Sequence, residues 1–414
     1  MRDTLTLTLL WQRRPLDPFA HYPLLRTLPH TRSVLLLSFA PLRSLPSFNP
    51  SRCIDPAGGY FHFYKEDGEI YDTTTRVLVT EARFVFTFAT AYQHLGKEEY
   101  REAAYHGIQF LRGPLRNAAN GGYHWVLKDG VPTDSQIYTY ALAFVLLAYS
   151  RAVAVGMDEA RAYMQETFDL LEAHMWDAEH GLYAEEADAD WVVDPYRSES
   201  GNLHMTEALI AAYEATKEAQ YLDRAVLVAD NICNRQAGQA QGLVWEHYDR
   251  DWKVNMEFNN DSEALTIFRP WGFQPGHQVE WARLLLTLNK YAPRIWFLAK
   301  ARFLFDVAVK QAWDPEEGGL AYSFAPDGIP CDWDKIFWVQ CESIGTAAML
   351  ASETGDEGYW ETYDRLWKYS WSHMVDHKHG SWHRRLNRQG VKHFPEKTKL
   401  SLCVDPDYHV RRHI

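Results

Sequence analysis

The sequence predicts an all-α fold in which pairs of helices close into a ring, with short β-hairpin loops gathered at one end. A glycine-plus-aromatic signature recurs six times, roughly 60 residues apart with one longer interval before the fifth copy, and a fixed period is typical of one supersecondary unit stacked on itself. Each copy predicts a tight turn leading into a short strand. The copies are Gly58–Phe63, Gly121–Trp125, Gly181–Glu185, Gly242–His247, Gly318–Tyr322 and Gly380–His383.

Between the copies, apolar residues return at helical spacing. Segments that are apolar on every side alternate with amphipathic ones, which is the pattern a two-layer helical barrel needs for its inner and outer rings. The aromatic, His and Glu side chains of the loops would then line a pocket at the ring mouth. The predicted helices are Val77–Leu95, Tyr100–Leu111, Ile137–Val155, Arg161–Met175, Leu203–Thr216, Leu222–Cys233, Val279–Leu288, Trp296–Trp313, Ile344–Thr354 and Trp360–Val375.

The repeat also predicts the domain organisation. A chain of 414 residues is long enough for two domains, but closed barrels often reach this length as one domain. One repeat running to the end predicts a single barrel domain over residues 51–414. Residues 1–50 are rich in Arg and Pro, and because such a density of Pro prevents a long helix, this segment is expected to be poorly ordered.

Composition excludes several classes of partner. The formal net charge of −13 argues against nucleic acid, because binding phosphate requires a basic face. Five cysteines without a CxxC pair favour reduced thiols and a cytoplasmic location. The sequence contains no apolar run of about 18 residues, so no membrane span is predicted. The chain carries 16 Trp and 23 Tyr, which fill a core or stack on the C–H faces of sugars.

Polar residues within the apolar helices are candidates for chemistry, since a buried polar group is costly without a partner. Arg83 lies on a mostly apolar helix, where it reaches water, pairs with Glu81 or donates to a ligand's oxygens. Asn202 is placed as an N-cap, with His204 in the following first turn. Glu342 enters an apolar helix soon after Trp338.

The segment beginning at Pro275-Gly276 provides the best candidate for proton transfer. His277 and Glu280 are three residues apart, so on a helix they share a face, and a carboxylate beside an imidazole favours acid–base work near neutral pH. The same spacing could bind a metal, but the second nearby His of an HExxH site is missing. We therefore expect no metal and no cofactor.

Three segments together resemble the N-acylglucosamine 2-epimerase superfamily, which includes cellobiose 2-epimerases, mannose isomerases and sulfoquinovose isomerases. The resemblance covers roughly residues 54–410. The form His-x-x-Glu-Trp is closer to the mannose and sulfoquinovose isomerase branch, because epimerases tend to carry Ala after the Glu. The segments are Asn202–Ala208, Pro275–Trp281 and Trp338–Glu342.

The resemblance implies an (α/α)6 barrel that interconverts sugars at C1 and C2 without a metal. It implies that His277 and His409 are the acid–base pair, with Glu280 backing His277, and that Arg83 holds the sugar oxygens. It further implies a monosaccharide or short saccharide as the partner, with a homodimer as the assembly common in the family. The substrate-binding positions it implies are Tyr140, Asn202, His204, Arg269, Trp338, Glu342 and Glu246.

Residues near both ends depart from the family pattern. Residues 1–50 do not resemble the usual first helix, and the match of His409 rests on the pair Tyr408-His409. The leading hypothesis is isomerisation of mannose to fructose through a cis-enediol. The alternatives are 2-epimerisation of an N-acyl hexosamine or cellobiose, an inverting glycoside hydrolase, which needs two carboxylates about 6.5–9.5 Å apart, and a sugar-binding protein without activity.

Overall fold

A computed structural model describes residues 50–258, 269–393 and 399–400 of the chain. The predicted poorly ordered segment therefore lies outside the described residues apart from Pro50. The extent of the single domain over residues 51–414 stays a prediction.

Ten helices of twelve or more residues occur in the described part of the chain, and they follow one another as five pairs. A helical turn, Pro50–Cys53, precedes them, and α6 and α10 each continue into a π-helical turn. The helices are α1 Leu78–Leu95, α2 Glu98–Arg112, α3 Thr139–Ala154, α4 Ala160–His174, α5 Glu199–Thr216, α6 Ala219–Asp230, α7 Pro275–Tyr291, α8 Phe297–Ala312, α9 Phe337–Thr354 and α10 Glu357–Tyr369.

The odd-numbered helices form the inner layer. Consecutive inner helices pack against one another, and each also packs against the helix that follows it in the chain. Inner helix α3 is buried along nearly its whole length, whereas outer helices such as α2 and α10 bury one apolar stripe. The alternation of apolar and amphipathic helices predicted from the sequence is confirmed.

The strands are short and lie in the loops that precede the inner helices, apart from the last two, which follow α10. They are β1 Phe63–Tyr64, β2 Ile70–Asp72, β3 Thr75–Val77, β4 Val126–Lys128, β5 Val131–Asp134, β6 Ile137–Tyr138, β7 Trp176–Asp177, β8 Leu182–Tyr183, β9 Glu186–Ala187, β10 Arg197–Ser198, β11 His247–Tyr248, β12 Ser323–Phe324, β13 Pro330–Asp332, β14 Lys335–Ile336, β15 Arg385–Leu386 and β16 Lys399–Leu400.

Pairings between neighbouring loops close a circle at this end of the molecule. Loops one to six are joined in succession by β3–β4, β6–β9, β10–β11, the bridge Phe273–Phe324 and β14–β15. The circle is completed where β16 pairs with β1 in the register Phe63–Leu400. The predicted gathering of six loops at one end is therefore confirmed.

The fourth residue of four inner helices fixes the loop before it. In α5, α7 and α9 this residue is an amide whose oxygen accepts from, and whose nitrogen donates to, the backbone of one loop residue at 2.7–3.0 Å. In α1 it is Glu81, whose Oε2 accepts the Tyr60 N–H at 3.3 Å. The amide pairs are Asn202 with Tyr183, Gln278 with Val244, and Gln340 with Leu320.

Three inner helices begin earlier than predicted. Helix α5 begins at Glu199 instead of Leu203, and α7 and α9 also start at least one turn before the predicted apolar run. The prediction of Asn202 as the N-cap is wrong, because Ser198 holds that position and its Oγ accepts the Ser200 N–H at 3.1 Å. Polar residues fill these first turns, so hydrophobic periodicity does not detect them.

Among the described residues, no helix combines the length and the apolar character needed to cross a membrane.

Candidate active site

One position repeats on the inner helices and brings the predicted site residues together at the loop end, around the space that we call the cavity. The sixth residues of α1, α3, α5, α7 and α9 lie one turn below the second residues, and residues four apart share a helix face. This face carries most of the residues that the resemblance singled out, with Tyr140 and Trp338 at second positions. The sixth residues are Arg83, Phe144, His204, Glu280 and Glu342.

One wall of the cavity is built from α1, α3 and α5. The Arg83 guanidinium lies over the Phe144 ring, 4.0 Å from its centroid, and Nη2 is 3.5 Å from the Tyr140 hydroxyl. The His204 ring packs edge-on against Tyr140, with 4.8 Å between centroids, and is tilted by 44° against Phe144 at 4.9 Å. Of the alternatives for Arg83, the pair with Glu81 is excluded, because that carboxylate accepts from His62 and Tyr60 instead.

The opposite wall carries a cluster of charges around Arg283. Its Nε donates to Glu342 at 2.9 Å, its Nη2 donates to Glu207 at 3.0 Å, and Glu280 lies 4.0 Å away. Burial and the neighbouring Glu342 carboxylate raise the pKa of Glu280 to about 8. Near neutral pH Glu280 is therefore largely protonated and can donate a hydrogen bond.

The two walls meet at His204. Its Nδ1 is 4.0 Å from Glu207, the same carboxylate that accepts from Arg283. Burial lowers the pKa of His204 despite this carboxylate. A neutral imidazole, able to donate at one nitrogen and accept at the other, therefore faces the guanidinium of Arg83 across Tyr140.

His277 projects from the first turn of α7. Pro275 occupies the first helical position, where a missing N–H costs nothing. A Cβ at Gly276 would lie 2.2 Å from the Trp338 ring, so glycine is required for the close approach of that indole. The indole in turn packs beside the His277 imidazole, with 5.3 Å between centroids and 33° between planes.

Two carboxylates converge on one nitrogen of His277. Nδ1 is 2.9 Å from Glu246 Oε2 and 2.5 Å from Glu199 Oε1. Burial opposes the charged imidazolium, but these two carboxylates outweigh it and hold the pKa of His277 well above its usual range. The ring is therefore charged near neutral pH, and Nε2 is the nitrogen that no described hydrogen bond occupies.

The loop pairings place the two carboxylates together. Strand β10 pairs with β11 through Ser198 and His247, and Glu199 and Glu246 are the neighbours of these two residues. The Glu199 N–H donates to the Glu246 carbonyl at 3.2 Å, and Gln274 Nε2 donates to the Glu246 carboxylate at 2.6 Å. The site therefore depends on the contact between the third and fourth loops.

Two groups of side chains in the described residues have donor atoms close enough to hold a cation. Glu199, Glu246 and His277 form one, and Glu66, Asp376 and His379 form the other. The first group suits a metal only when His277 is neutral, because a ligating imidazole nitrogen must lose its proton. The proton shared with two carboxylates therefore competes with any cation at this position.

The remaining predicted residues lie in different places. Arg269 donates to Glu186 at 2.9 Å and stacks on Tyr196, so it joins the rim between the third and fourth loops. Asn202 is fully buried and its amide is engaged by the loop backbone. His409 lies outside the described residues. Glu246, which was predicted to approach the site, contacts Nδ1 of His277. Glu280, which was predicted to support His277, lies beside Arg283.

Sequence reasoning missed Glu199 and Arg283. Glu199 is the first residue of α5, and the predicted start at Leu203 left it in the loop. Arg283 lies three residues after Glu280, which places both on one face of α7. The signal for Arg283 was present, since a guanidinium that directly precedes Leu284-Leu285-Leu286 on an apolar helix needs a partner just as Arg83 does.

Known proteins share this architecture and these segments. Residues 59–409 match the N-acylglucosamine 2-epimerase (GlcNAc 2-epimerase) family. The D-mannose isomerase of Marinomonas mediterranea is 49% identical over 360 residues, covering 86% of this chain and 90% of that protein. A crystal structure of D-mannose isomerase superposes with a TM-score of 0.85 at 46% identity, covering 92% of this chain and 97% of the other.

A more distant relative is the cellobiose 2-epimerase of Bacteroides fragilis, 24% identical over 369 residues, which cover 84% of this chain and 89% of that protein. The ring of helix pairs with its mouth at the loop end is an (α/α)6 barrel, as the resemblance implied. The chain belongs to the N-acylglucosamine 2-epimerase family.

Proposed function

We propose that this protein is a D-mannose isomerase, which converts the aldose mannose into the ketose fructose by moving a proton between C2 and C1. The observation that carries the proposal is the match of 49% identity, nearly end to end, with a D-mannose isomerase, against 24% with a cellobiose 2-epimerase. The site agrees with it, because it combines a charged histidine with a neutral one and with a guanidinium.

Opening the sugar ring is the first task of the site. His277 is charged before the reaction, since two carboxylates hold its pKa high. Its Nε2–H donates a proton to the ring oxygen as the C1–O bond to that oxygen breaks and the C1 hydroxyl loses its proton to a base. By the family resemblance that base is His409. The open-chain aldehyde then carries a C2 proton that is acidic enough to remove.

Proton transfer through a cis-enediol follows. The neutral His277 takes the C2 proton, the electron pair forms a double bond between C1 and C2, and O1 recovers the proton that the base took from the C1 hydroxyl. His277 then returns its proton to C1, the double-bond electrons form the new C1–H bond, and the base takes the O2 proton as the C2 carbonyl of the ketose forms. Arg83 and the protonated Glu280 stabilise charge on the sugar oxygens, as preorganised donors do.

Incubation of the purified protein with mannose in D₂O, followed by NMR, tests the proposal. We expect fructose that carries deuterium at C1, because the transferred proton exchanges with solvent on His277. Inversion of N-acetylglucosamine or cellobiose at C2, without ketose from mannose, would overturn it in favour of a 2-epimerase. Release of a reducing end from a glycoside would instead indicate a hydrolase.

A further inference from the structure

We infer that Glu199 is a positioning residue for His277: held by the Trp281 indole, its carboxylate fixes the Nδ1 edge of the imidazole and leaves Nε2 as the nitrogen available to a sugar. The inference rests on the proposed function, in which His277 is the acid and the base. It adds two residues, Glu199 and Trp281, to the machinery of that site.

The Glu199 carboxylate bridges two residues of one helix. Its Oε1 is 2.5 Å from His277 Nδ1, and its Oε2 accepts the Trp281 Nε1–H at 2.7 Å. His277 and Trp281 are four residues apart on α7, so they lie one above the other on the same face. The Trp281 N–H sets the orientation of the carboxylate, and the ion pair with its Oε1 holds the Nδ1 edge of the imidazole, whose hydrogen bond goes to Glu246.

The position of Glu199 in the fold suits a fixed negative charge. It is the first residue of α5, where backbone N–H groups and the helix dipole favour an anion. Its side chain is 1% exposed and the Trp281 side chain is fully buried. Neither residue reaches the cavity, so their effect on the sugar must pass through His277.

Glu246 alone does not fix the ring in the same way. Its Oε2 accepts from both His277 at 2.9 Å and Gln274 at 2.6 Å, so one oxygen serves two donors. Glu199 instead uses separate oxygens, Oε1 for the ion pair with His277 and Oε2 for the hydrogen bond from Trp281. The two carboxylates also come from different elements, Glu199 from the start of α5 and Glu246 from the fourth loop, so they approach Nδ1 independently.

Several charged or titratable groups act on His277. The carboxylates of Glu199 and Glu246 favour its charged form, and the carboxyl of Glu280 on its own helix is the third acid that interacts with it. His204 from α5 and His247 from β11 also interact with it electrostatically. Since both have lowered pKa values, they are neutral near pH 7 and do not change charge where His277 does.

Two substitutions weaken the contact that positions His277 without changing a residue that lines the cavity. Glu199→Gln replaces the carboxylate by a neutral amide of the same shape. Trp281→Phe keeps an aromatic ring in the core and removes the N–H that anchors Glu199 together with part of the buried ring volume. Trp252→Phe is the matched control, because its buried indole donates to the Asp177 carboxylate at 3.1 Å in the third loop.

The experiment measures kcat and KM for mannose between pH 5 and 10. For Glu199→Gln we expect kcat to fall about 10–100-fold at neutral pH, and for Trp281→Phe by about 3–10-fold, with KM changed less than twofold in both. The decline of kcat/KM at high pH, where His277 loses its proton, should move to lower pH by about one unit in Glu199→Gln. The Trp252→Phe profile should match the wild type.

An NMR titration without substrate separates this inference from the proposed function. The imidazole ¹⁵N signal that disappears in His277→Gln identifies the residue, and its titration should shift to lower pH in Glu199→Gln and in Trp281→Phe. Unchanged titration and unchanged pH profiles would overturn the inference, even if the wild type isomerises mannose. A shifted titration in a protein that leaves mannose unchanged would support the inference and overturn the proposed function.

Discussion

A comparison of two histidine–glutamate pairs in the described part of the barrel shows the residues exchanged between loop and helix. In the first repeat His62 lies on the loop and Glu81 on inner helix α1, 3.1 Å apart and both fully buried. In the fourth repeat Glu246 lies on the loop and His277 on inner helix α7. The same two residue types therefore meet between a loop and the first turn of an inner helix in both repeats, at neighbouring helix positions, but face different surroundings.

The surroundings give the two histidines opposite charge states. His62 uses both nitrogens, since Nε2 contacts Glu81 and Nδ1 accepts the Val77 N–H at 3.1 Å. Burial and the nearby Arg76 hold its pKa well below the usual range, whereas His277 has a second carboxylate. The comparison teaches that a histidine–glutamate pair becomes a candidate for catalysis only where one nitrogen stays accessible and the carboxylates outweigh burial.

The largest expected difference between the pairs is in turnover. His277→Gln should lower kcat for mannose by at least about 10³-fold, because it removes the proton donor and acceptor. His62→Gln should destabilise the fold by about 1–3 kcal/mol through a disturbed buried hydrogen bond, with kcat of the folded protein within about threefold of wild type. Kinetics combined with urea unfolding checks both, and equal losses of kcat would break the comparison.

The second largest effect is expected at Glu246, the loop carboxylate of the pair in the fourth repeat. Glu246→Gln removes one of the two charges on His277 Nδ1, so we expect kcat/KM to fall about 10–100-fold. The pKa of His277 is raised, so its charged form is lost as pH rises through that value, and removing a carboxylate moves this loss to lower pH. The measurement is kcat/KM against pH, and a high-pH limb that stays in place would contradict the assignment.

The helix carboxylate of the first pair should affect the dependence of stability on pH. Burial raises the pKa of Glu81 to about 8, so the folded state binds its proton more tightly than the unfolded chain. This contribution is complete below the unfolded value and is lost as pH rises to about 8. The free energy of unfolding should fall by about 2–4 kcal/mol from pH 5 to pH 9 in the wild type and less in Glu81→Gln.

The smallest effect is expected for an amide of the inner helices that lies away from the histidine. Gln340 bonds both backbone groups of Leu320 and is fully buried. Gln340→Leu should cost about 1–3 kcal/mol by leaving those groups unpaired. Chemical denaturation gives this value, and unchanged stability would show that the loop finds other partners. Gln278→Leu, beside His277, should lower kcat in addition.

Periodicity was sufficient to predict the ring, because six loop signatures and the alternation of apolar and amphipathic helices are local patterns. It was insufficient at the starts of the inner helices, where Glu199, Asn202 and Gln278 interrupt the apolar run. These interruptions are the groups that hold the loops or face His277. The polar residues in these first turns therefore hid the helix starts from the prediction, and the same residues build the site.

Roles within the site were harder to predict than its location. The spacing of His277 and Glu280 predicted a pair on one helix, but the groups on Nδ1 come from β-paired loops that are distant in sequence. Such contacts depend on which loops neighbour each other and leave no local pattern. Asn202 stands out in the sequence as a polar residue beside an apolar run, but its role in holding the third loop follows only from its hydrogen bonds to the Tyr183 backbone. The role of His409 stays a prediction.

The closure of the circle of loops has a consequence for how the chain folds during synthesis. Strand β1 pairs with β2 along one edge and with β16 along the other, and Lys392 pairs with Glu66 across a separation of 326 residues. Contacts of such high contact order form slowly. During synthesis, one edge of β1 therefore stays unpaired until Lys399 and Leu400 have left the ribosome. In this interval the nascent protein is most exposed to misassembly and to chaperones.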